Sequence, residues 1–240
     1  MLFDQLKKRR RWLLWLAALG LLVGWSLTWA LDAPQRPVLA ERDEIRSAAV
    51  HISGTACGQF SEGSGFAIES GLLLTNAHVV AGVEQINVST PDGETAIGEL
   101  VGFDSGRDIA AISVSGVEVS PAVLAQTVAA EADVGDAATV DRDNGLEFVP
   151  FTVNRRIWAK GRDFYGQEAK NRRVLEIRSL LAAGDSGAAL VNVDDEVWGM
   201  VFAVARGQRD QGYALDLVEI GDFLAEIDRT PLPTPPCRTR

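Results

Sequence analysis

The chain opens with one long apolar run and continues as many short ones. From Trp12 to Leu31 there are 20 consecutive uncharged residues, about the length a helix needs to cross a bilayer's hydrocarbon core. Beyond it, short apolar or alternating stretches are separated by Gly, Asp and Asn, the pattern of half-buried strands. Ala48–Ile52, Gly65–Ile68, Leu72–Thr75, Gln85–Val88, Ala96–Val101 and Ile109–Val114 read this way in the first half. Ala138–Val140, Phe148–Val153, Val174–Ile177, Ala188–Val191, Val197–Val204 and Tyr213–Leu215 follow in the second. So many strands with short connections predict an all-β fold, barrel or sandwich. Leu217–Ile227 breaks the pattern. Its Leu217, Val218, Ile220, Phe223, Leu224 and Ile227 have the spacing of a closing amphipathic helix. Residues 160–173 are polar and basic and predict a long exposed loop, and no internal repeat is visible.

Charge orients the long run. Lys7, Lys8, Arg9, Arg10 and Arg11 stand directly before it, and Trp12, Trp15, Trp25 and Trp29 lie towards its ends. Basic flanks stay on the cytoplasmic side and indoles favour the lipid–water boundary. The expectation is a cytoplasmic tail over 1–11, a single-pass transmembrane anchor over 12–31 and everything later in the periplasm or outside the cell. A cleaved signal peptide fits less well, because its apolar core is usually about 7–15 residues. Residues 32–46, polar and with Pro34 and Pro37, predict a linker, and 47–240 the folded domain. The net charge is −10 although the N-terminal segment is positive, so the domain itself is strongly acidic. Nucleic acid is excluded as a partner, since binding its phosphates depends on Lys and Arg.

Two cysteines, Cys57 and Cys237, make an even pair in a chain expected to be exported. That points to a disulfide, with two unpaired thiols as the alternative. With two His and no second Cys at ligand spacing, no metal site and no cofactor are expected.

Three segments carry candidate chemistry: Thr75-Asn76-Ala77-His78-Val79-Val80 after an apolar run, Arg107-Asp108-Ile109-Ala110-Ala111 leading into one, and Gly184-Asp185-Ser186-Gly187 before Ala188–Val191. A serine hydroxyl needs an adjacent base, histidine has the right basicity, and a carboxylate must orient the imidazole. Of the two histidines, His51 lies in a strand pattern, so His78 is the better base, and Asp104 is the fallback for Asp108. The order His, Asp, Ser is more specific than any one of its parts. The serine does not stand in a Gly-x-Ser-x-Gly elbow, since Ala188 occupies the last position.

On these segments, together with Gly63-Ser64-Gly65-Phe66 and Ala81-Gly82, the chain resembles the trypsin-like (chymotrypsin-fold) serine proteases over roughly Ala48 to Cys237. Within that group it most resembles periplasmic members from mycobacteria, which also carry cysteines at both ends of the domain. The resemblance implies two packed six-stranded antiparallel β-barrels and a C-terminal helix, with a protein or peptide as substrate. It also implies His78 as general base and acid, Asp108 as its orienter and Ser186 as nucleophile. The N–H groups of Gly184 and Ser186 would form the oxyanion hole, Asp185 would fix their loop, and Cys57 would pair with Cys237. Leu180 would lie at the base of the primary pocket, with Phe202 to Val204 and Gly212 as walls. No acid stands at that base, so an apolar or small residue, not Lys or Arg, is expected before the scissile bond.

One departure matters. The usual Gly-Gly-Pro after the serine is Gly187-Ala188-Ala189 here. If position 188 needs a positive φ, alanine would disturb the oxyanion hole. The alternative reading is then a catalytically silent protease-fold binding or sensing module. Too few residues follow Ile227 for a peptide-binding PDZ domain, which weakens an HtrA-like reading.

Overall fold

The computed structural model describes residues 42–141, 145–169, 171–205 and 207–238. The expected tail, anchor and most of the linker, residues 1–41, lie outside these residues. Among the described residues no helix is long and apolar enough to cross a membrane.

Twelve strands close into two barrels. The first contains β1 (Ala49–Ala56), β2 (Gln59–Glu69), β3 (Leu72–Thr75), β4 (Ile86–Ser89), β5 (Thr95–Asp104) and β6 (Ile109–Val114) in the order β1-β2-β3-β6-β5-β4. The second contains β7 (Val134–Asp141), β8 (Gly145–Ala159), β9 (Arg172–Ser179), β10 (Ala189–Val191), β11 (Val197–Val204) and β12 (Gln211–Asp216) in the order β7-β8-β9-β12-β11-β10. Every named pairing is antiparallel, and closure leaves neither sheet an open edge. The second barrel thus repeats the topology of the first.

Three short helices complete the domain: α1 (Asp43–Ala48), α2 (Ala77–Val80) and α3 (Leu217–Glu226). The predicted closing helix is α3. The Asp216 carboxylate caps it by accepting the Val218 amide at 3.0 Å, and it buries Ile220 and Phe223. The stretch expected as linker up to residue 46 is instead folded from Arg42. The reason is a buried guanidinium. Arg42 pairs with Asp195 at 2.7 Å and Asp136 at 2.9 Å, and stacks over Phe148.

Each barrel has its own interior. Val50, Ile52, Leu73, Leu100 and Ile112 fill the first, and Phe151, Val153, Leu175, Ile177 and Leu190 the second. A third apolar cluster takes residues from both, including Phe66, Leu74, Ile109, Met200 and Leu215, together with Ile220 and Phe223 of α3. Strand alternation explains the split, because successive residues face opposite sides of a sheet. On β3, Leu73 faces its own barrel while Leu72 and Leu74 face the seam. The candidate site lies where elements of the two barrels meet along that seam.

Candidate active site

His78 sits in α2, a single turn following directly on β3. Its amide donates to Asp108 Oδ1 at 2.9 Å, and its Nδ1 lies 2.7 Å from Asp108 Oδ2. A carboxylate can only accept, so Nδ1 is the donor, and in the neutral imidazole Nε2 keeps its lone pair. Both side chains are mostly shielded, 15% and 11% exposed, which strengthens the pairing. Asp108 occupies the turn between β5 and β6 with φ 62°, a left-handed conformation that Asp tolerates better than most residues. Asn76, immediately after β3, steadies that turn by donating from Nδ2 to the Asp108 carbonyl at 2.8 Å.

The neighbouring Arg107 anchors the same turn to α3. Its guanidinium makes a bidentate pair with Glu226 at 2.8 and 2.7 Å, and meets Asp104 at 2.8 Å and Glu219 at 3.3 Å. The Glu226 carboxylate above all keeps Arg107 charged, against the cost of burial, with Asp104 adding to it. Asp104, the fallback carboxylate, is therefore engaged with Arg107, while Asp108 is the one that meets His78.

Ser186 lies in the loop before β10. Asp185 closes that loop by accepting the Ala182 amide on Oδ2 at 2.6 Å. Burial pushes the Asp185 carboxyl above the usual carboxylate range; the Ala182 amide opposes this, and Glu147 and Asp141 add to it. The amides of Asp185, Gly187 and Ala188 donate to the carbonyls of Ala182, Val201 and Asp185. Those of Gly184 and Ser186 have no such bond among the described residues.

Positive φ falls on Gly184 (104°) and Gly187 (91°), not on Ala188. Ala188 and Ala189 are fully buried, the latter opening β10. The physical objection to Ala188 therefore lapses.

One residue joins the histidine and serine segments. The Ser64 amide donates to the Ser186 carbonyl at 2.8 Å, and the Ser64 carbonyl accepts from Thr75 Oγ1 at 2.7 Å. Its hydroxyl accepts the Val140 amide at 2.9 Å and reaches the Gly184 carbonyl at 3.3 Å. The flanking glycines are required by contact. A Cβ on Gly63 would stand 2.7 Å from both the Ser186 carbonyl oxygen and Val79 Cγ2, and one on Gly187 would overlap the Ser64 carbonyl. The Gly63-Ser64-Gly65 motif was legible, but its role as this bridge was not.

The remaining candidates divide. Val204 and Gly212 are register partners on β11 and β12, and the Phe202 ring lies 6.5 Å from that of Tyr213, with the Arg172 guanidinium stacked on it at 4.5 Å. Leu180 is 74% exposed. Its neighbour Leu181 is 8% exposed and packs over Gly212, where a Cβ would come within 2.7 Å of Leu181 Cδ1. His51 is buried on β1 with Nε2 3.5 Å from Glu62 Oε2 and without a hydrogen-bond partner among the described residues. Cys57 and Cys237 form a disulfide with Cα atoms 6.2 Å apart. Among the described residues no group of His, Cys, Asp or Glu could hold a metal ion.

The trypsin-like peptidase domain model matches residues 63–200, from the Ser64 bridge past the Ser186 loop and into β11. The chain belongs to the trypsin-like peptidase family. Serine protease Rv3671c of Mycobacterium tuberculosis (strain ATCC 25618 / H37Rv) is 33% identical over 186 residues, which cover 75% of this chain and 46% of the relative. Serine protease HTRA1 of Xenopus tropicalis is 29% identical over 208 residues, 77% of this chain and 41% of the relative. The chain thus spans less than half the length of these family members. The crystal structure of the Rv3671c protease in its active form superposes with a TM-score of 0.77 at 29% identity, covering 85% of this chain and 93% of that one.

Proposed function

We propose that this peptidase-family chain is an active serine endopeptidase, with Ser186 as nucleophile, His78 as general base and acid, and Asp108 as orienter. The observation that carries the proposal is the pair of hydrogen bonds from His78 to Asp108, through amide and ring, which fixes both the tautomer and the ring plane. Nε2 would take the Ser186 proton as Oγ attacks a peptide carbonyl, and the Gly184 and Ser186 amides would receive the negative charge on its oxygen. The imidazolium, stabilised by Asp108, would then protonate the leaving amine. Water, activated by the same nitrogen, would release the acyl group from Ser186. No metal or cofactor enters this scheme.

The primary pocket in this proposal has Phe202, Val204 and Gly212 as walls, with Leu180 exposed at its base and Leu181 packed into the barrel interior behind it. With no acid among these residues, an apolar or small side chain fits best before the scissile bond. The basic cluster Lys7–Arg11 and the uncharged run 12–31 support a single-pass tether in the cell membrane, with the peptidase domain on the periplasmic or extracellular side. Envelope or exported proteins would then be its substrates.

The test compares casein cleavage by the purified chain and by its Ser186→Ala variant at equal fold stability. Cleavage confined to the wild type is expected. Equal cleavage by both would assign the activity to a contaminant or another residue, and no cleavage by either would refute a broad endopeptidase.

A further inference from the structure

The connection between β8 and β9 is exposed at most positions, as its composition suggests, but Asp163, Phe164 and Tyr165 are half-buried. It leaves the second barrel and reaches the face of the first that carries His78 and Asp108. Asp163 builds its tip, accepting the amides of Tyr165 at 2.9 Å and Gln167 at 2.8 Å on Oδ1. The other oxygen of Asp163 accepts Ser105 Oγ at 2.8 Å, from the turn that holds Asp108. Behind the tip, Arg172 donates to the Gly106 carbonyl at 2.6 Å in the same turn. On the far side, Tyr165 OH donates to the Pro236 carbonyl at 2.8 Å, next to the Cys57–Cys237 disulfide. Three hydrogen bonds therefore hold this segment against the first barrel and its C-terminal strap.

What those anchors hold is Phe164. Its ring meets Phe103 at 6.3 Å, perpendicular, and the His78 imidazole at 6.4 Å, inclined 73°. It packs with the first barrel's interior cluster although it comes from the second, yet part of the ring stays open to solvent. It presents apolar surface next to the reacting centre, on a segment already ordered before any substrate arrives.

We propose that Phe164 is a specificity-determining residue, forming with His78 an apolar wall that receives a hydrophobic substrate side chain flanking the scissile bond. This rests on the endopeptidase reading and adds a subsite to it. Two charged groups near Phe164 are engaged, Asp163 by Ser105 and two amides and Arg172 by Gly106 and by the Phe202 ring. A charged substrate side chain would lose water against the apolar Phe164 ring. An apolar one loses nothing and removes further water from the His78–Asp108 pair.

The test is a peptide library varied at the positions flanking the scissile bond. It is read as kcat/KM for the full wild-type chain and for the Phe164→Ala and Ser105→Ala variants. Melting temperature and labelling by a small fluorophosphonate, which has no flanking side chain, are measured alongside. In Phe164→Ala the apolar-over-charged preference at one flanking position should fall about tenfold, with labelling kept within about threefold. Ser105→Ala removes one anchor and keeps the ring, so it should shift the same position in the same direction by about two- to threefold. Wild-type selectivity in both variants would overturn the proposal, and if Phe164→Ala fails to fold, Ser105→Ala decides. A wild-type chain that labels and cleaves but has no apolar preference at any flanking position overturns this inference alone. A folded wild-type chain that neither labels nor cleaves removes the endopeptidase reading as well.

Discussion

The Ser186 carbonyl accepts the Ser64 amide proton at 2.8 Å, tying the candidate nucleophile's loop to the strand beside the histidine turn. Ser64 is fully buried, and each of its polar groups is used by the site or by β7. Alignment of the Ser186 loop with β3, the strand that leads into His78, is therefore built into β2.

Ser64→Ala should reveal that alignment. It leaves the amide bond to Ser186 but strands the buried Val140 amide, a cost of about 1–3 kcal/mol. The loss of the Gly184 contact should lower kcat more than it raises KM. Urea denaturation and steady-state kinetics on the same preparation check both parts.

Asp108→Asn isolates the charge. Asn also tolerates the left-handed φ of 62°, so the fold should survive. The amide would favour the wrong imidazole tautomer, and kcat should fall about 10⁴-fold. A fall under tenfold in a folded variant would remove Asp108 from its assigned role.

Gly187 and Ala188 make an opposed pair. Gly187→Ala places a Cβ into the Ser64 carbonyl at φ 91° and should cost about 2 kcal/mol or more, with loss of activity. Ala188→Gly, at a position without positive φ, should cost about 0.5–1 kcal/mol and raise activity not at all. A gain in activity there would revive the objection to alanine.

Asp185 gives a pH dependence with a definite sign. Its carboxyl is raised in the folded state by burial above all, so the fold holds that proton more tightly than the unfolded chain does. The associated stability is present below the unfolded value of about 3.9 and is lost as pH rises through the higher folded value. Asp185→Asn can still accept the Ala182 amide but never ionises. Its melting temperature relative to wild type should climb as pH rises out of the acid range, then level off. Paired melts from acid to neutral pH check this, and a gap that narrows with rising pH would contradict it.

Much of this architecture is legible in the sequence because one face of nearly every strand is buried. Leu72–Thr75, Ile109–Val114 and Val197–Val204 coincide with β3, β6 and β11. Others were seen only at their apolar centres. β8 runs from Gly145 to Ala159, well beyond Phe148–Val153, because backbone pairing with β7 and β9 continues through exposed residues such as Glu147, Arg155 and Trp158. The repeated barrel topology leaves no sequence repeat, since pairing constrains the backbone and the pattern of burial but not residue identity. In the site, local motifs point to His78, Asp108 and Ser186. What surrounds them is not local: Ser64 meets Gly184 and Phe164 meets His78 across folds of the chain that no spacing encodes.

The central claim is that Ser186 is a nucleophile activated by His78. Its most direct test is fluorophosphonate labelling of the full chain and of its His78→Ala variant, with the adduct mapped to a residue by mass spectrometry. The account predicts a single adduct on Ser186 of the wild type, forming about 10³-fold or more slowly in the variant. No adduct on the folded wild type, or one on a different serine, would contradict it.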